Sequence, residues 1–477
     1  MIQPTAEFVR EGSASGASLR MAFVPKNILR VIIAYVVLTF AVFELAVGQH
    51  HHATAPATGG LDPAFGLAGK VITDFGFDLD AQAFALALQS DDRIVAAGRA
   101  FTPLQGFDFA LARYNIDGTP DAGFGIGGRV ITDFFGGNDR ATSIIIQPDG
   151  RIVVGGDAFN TSTGNTDFAI ARYNPDGSPD TSFDADGKLT GDLSINDVAN
   201  ALVLRPDGRI LLAGSVLNSQ SAKDFALVSY NSDGSPDANF GTNGKVITDF
   251  SNLSDEVTAA VVKPGGLILA VGFAGTIGTS RDFALAQYNA DGSLDSTFGI
   301  GGKATVDFFG GTDEARAVAL QTDGRIVVAG SAFNGATLGD FAVARFDDDG
   351  TLDSSFRGSG KVTANFSDNL DAAEAVIVLP DGRIVAAGRA FTSGSNSDFA
   401  LVSYKPNGKP DSSFGAGGRL MTDFFGRIDQ ALDVAVDSSG RLIAAGSAAG
   451  VNLIPDFAVA RYVMQPSSQR SADSDIP

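Results

Sequence analysis

Short apolar runs recur along this chain at a fixed interval, and each is bounded by glycine, proline, asparagine or aspartate. One unit shows the pattern. Gly302–Phe308 reads GKATVDF, Glu314–Gln321 reads EARAVALQ, Arg325–Ala332 reads RIVVAGSA and Asp340–Phe346 reads DFAVARF. All four are short and rich in small, β-branched or aromatic residues, so each predicts a β-strand. Thr322-Asp323-Gly324 joins the second and third runs, and its counterparts are Gln147-Pro148-Asp149-Gly150 and Leu379-Pro380-Asp381-Gly382. Proline suits position i+1 of a type I turn, and the glycine supplies the positive φ that a following bulge needs. No segment of helical period separates the runs.

The segment Asp-Phe-Ala recurs seven times, beginning at Asp108, Asp167, Asp224, Asp282, Asp340, Asp398 and Asp456, about 58 residues apart. Repetition on that scale marks an architecture of stacked units rather than a string of separate domains. Four antiparallel strands per unit and seven units predict an all-β fold, a seven-bladed β-propeller. The small and aliphatic EARAVALQ-type segments suit the crowded innermost position, followed outwards by RIVVAG, DFAVAR and the GKVT strand of the next repeat. Lys70–Phe75 precedes every inner strand, and the last unit, ending at Arg461-Tyr462, lacks an outer one. The N-terminal strand is therefore expected to complete the seventh blade, which leaves no free sheet edge. A glycine closes each RIVVAG-type strand (Gly98, Gly156, Gly214, Gly272, Gly330, Gly388, Gly446) and is expected to mark a bulge or a close blade-to-blade approach.

The unit LDxxFGxxGKVxTDF…ALQPDGRIVVAG…DFALARYNPDG resembles the delta-60 repeat, a bacterial β-propeller repeat family of uncharacterised function. Leu294–Phe308, Ala317–Gly330 and Asp340–Gly350 carry the resemblance, which extends over about residues 61–463. It implies a secreted or surface-exposed propeller and brings no catalytic residues with it. Asp184–Gly191 and Leu267 depart most from the pattern.

The N-terminus adds a compartment. Lys26 and Arg30 precede the apolar run Val31–Gly48, and small residues at Ala46 and Gly48 stand before Gln49. That order is a secretory signal, with Met21 as a candidate start, so residues 1–48 are expected to direct export and to be cleaved. The alternative is a membrane anchor exposed outside the cytoplasm, because this run of 18 residues, broken only by Glu44, reaches the lower limit of a span. Residues 49–60 read as a linker, 61–463 as the propeller and 464–477 as a disordered tail. Cysteine is absent, so there is no disulfide, thiol nucleophile or thiolate metal site. A net charge of −21 repels phosphate backbones and argues against nucleic acid as a partner. A monomer is expected.

Candidate chemistry is sparse. Asp139, Asp197, Asp255, Asp313, Asp371 and Asp429 open the links into the inner strands at the repeat interval, and Asp80 is the near-equivalent, one residue out of register. As a rim of carboxylates near the channel mouth they could hold a hard cation such as calcium. The reading preferred from sequence is that each aspartate caps its own turn. The arginines of the DGR turns and the Asp-Phe aspartates repeat too, and read as turn satisfaction or ion pairs. Segments such as Asn174–Asp180 do not fit the spacing of a calcium loop. His50, His51 and His52, the only histidines, lie in the linker, so Ser-His and Cys-His catalysis has no base within the propeller. No cofactor is expected.

The repeats disagree in one connection, between the second and third strands: Thr102–Phe107, Asn160–Thr166, Asn218–Lys223, Gly275–Arg281, Asn334–Gly339, Thr392–Ser397 and Ala449–Pro455. Alternation of strand direction puts these loops on one face with the aspartate links, and the PDG turns on the other. Variable loops on a rigid scaffold are where recognition resides. The sequence thus favours a non-catalytic scaffold that binds a protein, glycan or envelope ligand through this face. The alternative is a carboxylate-dependent hydrolase or lyase, or a calcium site, at the channel mouth; a cleft lined by unlike groups from several blades would favour it. If the N-terminal strand closes the ring, deleting residues 61–76 should unfold or oligomerise the protein; a monomeric deletion variant of unchanged melting temperature rejects closure.

Overall fold

The computed structural model describes residues 59–464, except 77–78, 104–105, 195, 219–221, 277–279, 336–337, 368, 392–395 and 451. The expected signal segment, most of the linker and the tail lie outside these residues. The described strands form seven four-stranded antiparallel sheets. Blade 5 consists of Asp313–Leu320, Ile326–Ala332, Asp340–Phe346 and Lys361–Ala364, in that order from the axis outwards. The predicted runs of that unit agree with these bounds to within three residues at each end, because turn residues delimit them. The chain forms a seven-bladed β-propeller.

Blade 7 takes Asp429–Val436, Leu442–Ala449 and Pro455–Tyr462 from the C-terminal end of the chain. Its fourth strand is Lys70–Thr73, antiparallel to Pro455–Tyr462 with Lys70 opposite Ala460 and Thr73 opposite Phe457. Asp62 joins the same seam. Its carboxylate accepts from Arg461 Nε at 2.9 Å and lies 3.6 Å from Arg441. The Arg461 guanidinium also covers the ring of Phe65, 4.6 Å from its centre.

The core is shared between blades. Seven buried apolar clusters each straddle one junction: Val95, Ala97, Phe109 and Leu111 of blade 1 meet Ala141, Ile152, Val154 and Tyr173 of blade 2. Ile443, Ala445, Phe457 and Val459 of blade 7 meet Ala83, Ile94, Ala96 and Tyr114 of blade 1 in the same way. Burial on both faces explains why the second and third strands are continuously apolar rather than alternating.

The repeated glycines lie within the second strands and do not close them. Gly330 sits inside Ile326–Ala332, opposite a bulge in the inner strand between Ala315 and Ala317. Its φ is not positive; space is the constraint. A Cβ there would lie 1.9 Å from the Glu314 carbonyl oxygen, and the other six glycines meet the same obstacle at 1.8 or 1.9 Å. Of the expected bulge and blade-to-blade approach, the fold shows the bulge; the close contact is with the inner strand of the same blade, not with a neighbouring one.

A polar tie repeats at the junctions. The third-strand tyrosine meets the outer-strand threonine of the preceding blade: Tyr114 with Thr73 at 2.6 Å, Tyr173 with Thr132 at 2.8 Å, Tyr288 with Thr248 at 2.9 Å and Tyr462 with Thr422 at 3.0 Å. In blade 5 both partners are apolar, Phe346 and Val306, and both are buried. Tyr404 keeps its hydroxyl, but Ala364 stands where the threonine would be, and this buried oxygen has no partner. A buried hydroxyl without a hydrogen bond is costly. Ala364→Thr should therefore stabilise the protein by about 1 kcal/mol in urea unfolding; a neutral or destabilised variant rejects this account.

Candidate functional site

The predicted rim aspartates begin the inner strands and are fully buried: Asp139, Asp197, Asp255, Asp313, Asp371 and Asp429 are at most 1% exposed. Each caps the link that leads into it. Asp139 Oδ2 accepts from Phe134 N at 2.9 Å, Asp255 from Phe250 N at 2.7 Å, Asp313 from Phe308 N at 2.6 Å and Asp429 from Phe424 N at 2.7 Å. Asp197 accepts from Leu193 N and Ser194 N, and Asp371 from Phe366 N and Ser367 N. This is the turn-capping geometry preferred from sequence. Asp80 falls just before its strand, which begins at Ala81.

Capping engages Oδ2 in each; Oδ1 accepts a further bond at Asp197 (Ser194 Oγ, 2.8 Å), Asp255 (Gly275 N, 3.1 Å), Asp313 (Phe333 N, 3.3 Å) and Asp371 (Phe391 N, 3.1 Å), and is buried without a partner at Asp139 and Asp429. Five of these aspartates also enter a cluster that sequence reading missed. At five junctions an Asp-Phe pair on the third strand faces a second Asp-Phe pair at the end of the outer strand; at the other two the second pair is Asp192-Leu193 or Asn365-Phe366. The phenylalanines pack on each other, Phe109 on Phe134 at 5.0 Å and Phe399 on Phe424 at 4.9 Å between ring centres. With Phe109 opposite Thr132, the aspartates ahead of the two rings come side by side. The inner-strand aspartate completes a triad. Five triads occur among the described residues: Asp108–Asp133–Asp139, Asp167–Asp192–Asp197, Asp224–Asp249–Asp255, Asp282–Asp307–Asp313 and Asp398–Asp423–Asp429. In each, one carboxylate oxygen per residue lies within 4.8 Å of the other two.

Burial, and with it like charge, raises the proton affinity of the inner-strand and third-strand aspartates. Burial, with Asp133 and Asp108 nearby, pushes Asp139 up to about 7 against the bonds from backbone N–H groups. Burial pushes Asp429 up to about 7 as well, helped by Asp398 and Asp423. Asp255 and Asp313 stand near 6 for the same reasons. Asp398 is raised by burial and then by Asp423.

The second feature is a cavity of about 550 Å³ on the propeller axis. The bulge explains its lining. In every blade the extra residue of the inner-strand bulge is turned to the axis: Phe84, Thr142, Asn200, Thr258, Arg316, Glu374 and Leu432. A bulge re-aims a side chain, and here seven bulges deliver seven side chains, all but two of them different. Arg140, Glu256, Arg281, Glu314 and Asp433 add further charge. Arg281 pairs with Glu314, Arg316 lies 2.8 Å from Glu314 and 3.3 Å from Glu374, and Lys223 lies 2.7 Å from Glu256. Burial raises Glu374 despite Arg316, and pushes Asp433 up to about 6 against bonds from Leu86 N and Val434 N. The rim aspartates do not line this cavity. The available signal was the residue after each rim aspartate and the one three positions after it, which vary while their flanks repeat.

The loop face carries a third feature. Phe309, Phe333, Leu338, Leu370, Phe425 and Ile428 are exposed there, at 37–60%, on the links and hairpins around blades 5 to 7. Parts of several variable hairpins lie outside the described residues. On the opposite face the repeated charges are paired with one another. Arg151 bonds Asp149 of its own turn and lies 3.0 Å from Asp180, which also holds Arg172 at 2.7 Å; Arg325, Asp323, Asp353 and Arg345 repeat the pattern. Asn174–Asp180 forms a turn in which Asp176 caps Ser178 N at 2.9 Å.

The raised carboxylates fix a pH response. An unfolded aspartate titrates near ~4, whereas Asp139, Asp429, Asp255 and Asp313 do so at about 6 to 7 in the fold. Between those values the folded chain holds more protons than the unfolded one. This contribution to stability is complete below the unfolded pKa and is lost as pH rises through the folded ones. In the presence of a chelator, the melting temperature should be higher at pH 5 than at pH 8, and Asp429→Asn should shrink the difference; a melting temperature that climbs over that interval contradicts it.

No curated protein matches the chain. Among solved structures, a protein of unknown function from Dyadobacter fermentans DSM 18053 is similar at 12% identity, covering 85% of this chain and 100% of that one, with a TM-score of 0.46. A polysaccharide lyase of family PL25, an ulvan lyase, is similar at 14% identity over 86% of this chain and 94% of that one, with a TM-score of 0.45. A glucose dehydrogenase is similar at 12% identity over 66% and 95%, with a TM-score of 0.39. Six segments, 89–124, 147–183, 205–240, 266–298, 321–356 and 379–414, match the family described as "Domain of unknown function (DUF5122) beta-propeller". Each spans a second strand, a third strand and the turns that flank them. With its seven sheets and six matched segments, the chain carries the repeats of a β-propeller repeat family of unknown function.

Proposed function

We propose that this protein is a non-catalytic, secreted or surface-exposed propeller of the delta-60 repeat type that binds a protein or envelope ligand on its loop face. One observation carries the reading: the repeats cease to be copies on that face. Exposed apolar side chains at Phe309, Phe333, Leu338, Leu370, Phe425 and Ile428 gather around blades 5 to 7. The unlike pairs Arg281–Glu314 and Arg316–Glu374 belong to blades 4 to 6, the neighbouring sector. An apolar patch beside fixed charges is the composition of a recognition surface. The location outside the cytoplasm rests on residues 1–48, through either export or anchoring.

A second reading, a carboxylate-dependent hydrolase or lyase, is favoured by the unlike lining of the axial cavity and the raised pKa of Glu374 and Asp433. Both carboxyls already have partners, in Arg316 and in backbone N–H groups, which suits a structural role equally well. An array of envelope proteins and glycans separates the readings. The expected outcome is a ligand whose affinity falls at least about tenfold in a Phe309→Ser/Phe425→Ser variant and is unchanged in Ile116→Ser on the opposite face. A ligand indifferent to the loop-face variant rejects the first reading. Glycan turnover lost in Glu374→Gln would establish the second in its place.

A further inference from the structure

The triads pose a problem of charge. Asp398, Asp423 and Asp429 bring three carboxylates together at the junction of blades 6 and 7, each offering an oxygen within 4.8 Å of the others. Asp398 is 7% exposed, and among the described residues no donor bonds it and no cation pairs with it. Asp429 Oδ1 is fully buried and also without a partner. At the junction of blades 1 and 2, Asp108 Oδ1 and Asp139 Oδ1 are likewise buried without a partner, while Asp108 Oδ2 accepts from Thr102 Oγ1 at 2.7 Å; in the other three triads the inner-strand Oδ1 accepts a bond from Ser194 Oγ, Gly275 N or Phe333 N. The one basic residue that approaches is committed elsewhere. Lys70 Nζ donates to the Asp423 backbone carbonyl at 2.9 Å and lies over the Phe424 ring; Lys188 does the same at Asp133 and Phe134.

The middle aspartate of each triad is half-buried or exposed, Asp423 among the exposed, while the inner-strand aspartate is buried. A buried carboxylate that faces other carboxylates without a counter-charge is unfavourable unless protonated or bound to a cation. The donors are all carboxylate oxygens, the set that a hard cation takes. Calcium holds oxygens at about 2.3–2.6 Å, so ligands on opposite sides of it lie about 5 Å apart, which the 4.8 Å span accommodates. The triads are also built to be rigid. The Phe399–Phe424 contact fixes two of the aspartates, and the bond from Phe424 N fixes the third.

We infer that the aspartate triads at the blade junctions are calcium sites, five among the described residues, each clamping one blade to the next. The two remaining junctions differ in sequence. Asn365 replaces the middle aspartate between Asp340 and Asp371, and Asp80 is one residue out of register behind Asp74 and Asp456. Phe425 and Ile428 of the loop-face patch lie on the link between Asp423 and Asp429, but calcium stoichiometry and ligand affinity are read by different measurements, so either proposal can fail alone.

The test is calcium titration of the chelator-treated full chain by calorimetry, with melting temperature followed in parallel. Saturable binding of about five ions per chain, at up to about millimolar calcium, and a raised melting temperature are expected. Asp398→Asn, which removes no cap, should lose one equivalent while keeping its circular dichroism spectrum, and Asn365→Asp should gain one. Lack of saturable binding at millimolar calcium overturns the inference, as does an unchanged stoichiometry in Asp398→Asn. If that variant does not fold, Asn365→Asp decides: a sixth equivalent supports the sites, and an unchanged count overturns them.

Discussion

Every blade must bury both of its faces on neighbours, and the rest of the molecule follows from that demand. A single four-stranded sheet of this composition would expose continuous apolar second and third strands to water. Seven junction clusters remove that exposure, and the cluster between Phe457 and Ala83 makes the last junction the same as the others. Because each junction faces the same demand, the repeats stay alike where they pack. Tyr114 with Thr73, Tyr173 with Thr132 and the apolar pair Phe346 with Val306 show how closely partners across a junction are matched.

Packing this strict leaves few places free to differ. One is the bulge of the inner strand. Gly98 and its six counterparts admit the backbone of the bulge, and the bulged residue is then released towards the axis. The glycine repeats because space demands it, while the residue it liberates meets no such demand. Thus Thr142, Asn200, Arg316 and Glu374 diverge within strands that otherwise copy one another. The loop face is the other free region, since no neighbouring blade covers it.

The junction aspartates combine both constraints. Their caps are structural: Phe424 N on Asp429 and Phe134 N on Asp139 hold the links that start each inner strand. Their crowding is not explained by capping. Burial makes Asp429 take up protons more readily, and the charges of Asp398 and Asp423 add to that effect. A region repeated for packing thereby carries a chemical property of its own.

The sequence by itself determined the number of blades, the four strands of each, the turns between them and the strand Lys70–Thr73 that precedes every inner strand. Those features are local: they depend on residue type, on turn chemistry and on a period that any stretch of the chain reveals. It also pointed to the capping role of Asp139 and its counterparts, since an aspartate caps through its own neighbours. Only the tertiary structure decided which residues meet. Pairing of Phe109 with Thr132 sets Asp108 beside Asp133, the next blade supplies Asp139, and a bulge chooses Arg316 and Glu374 for the axis. Register, bulge position and blade-to-blade contact are set by packing across long stretches of chain, so no local pattern encodes them.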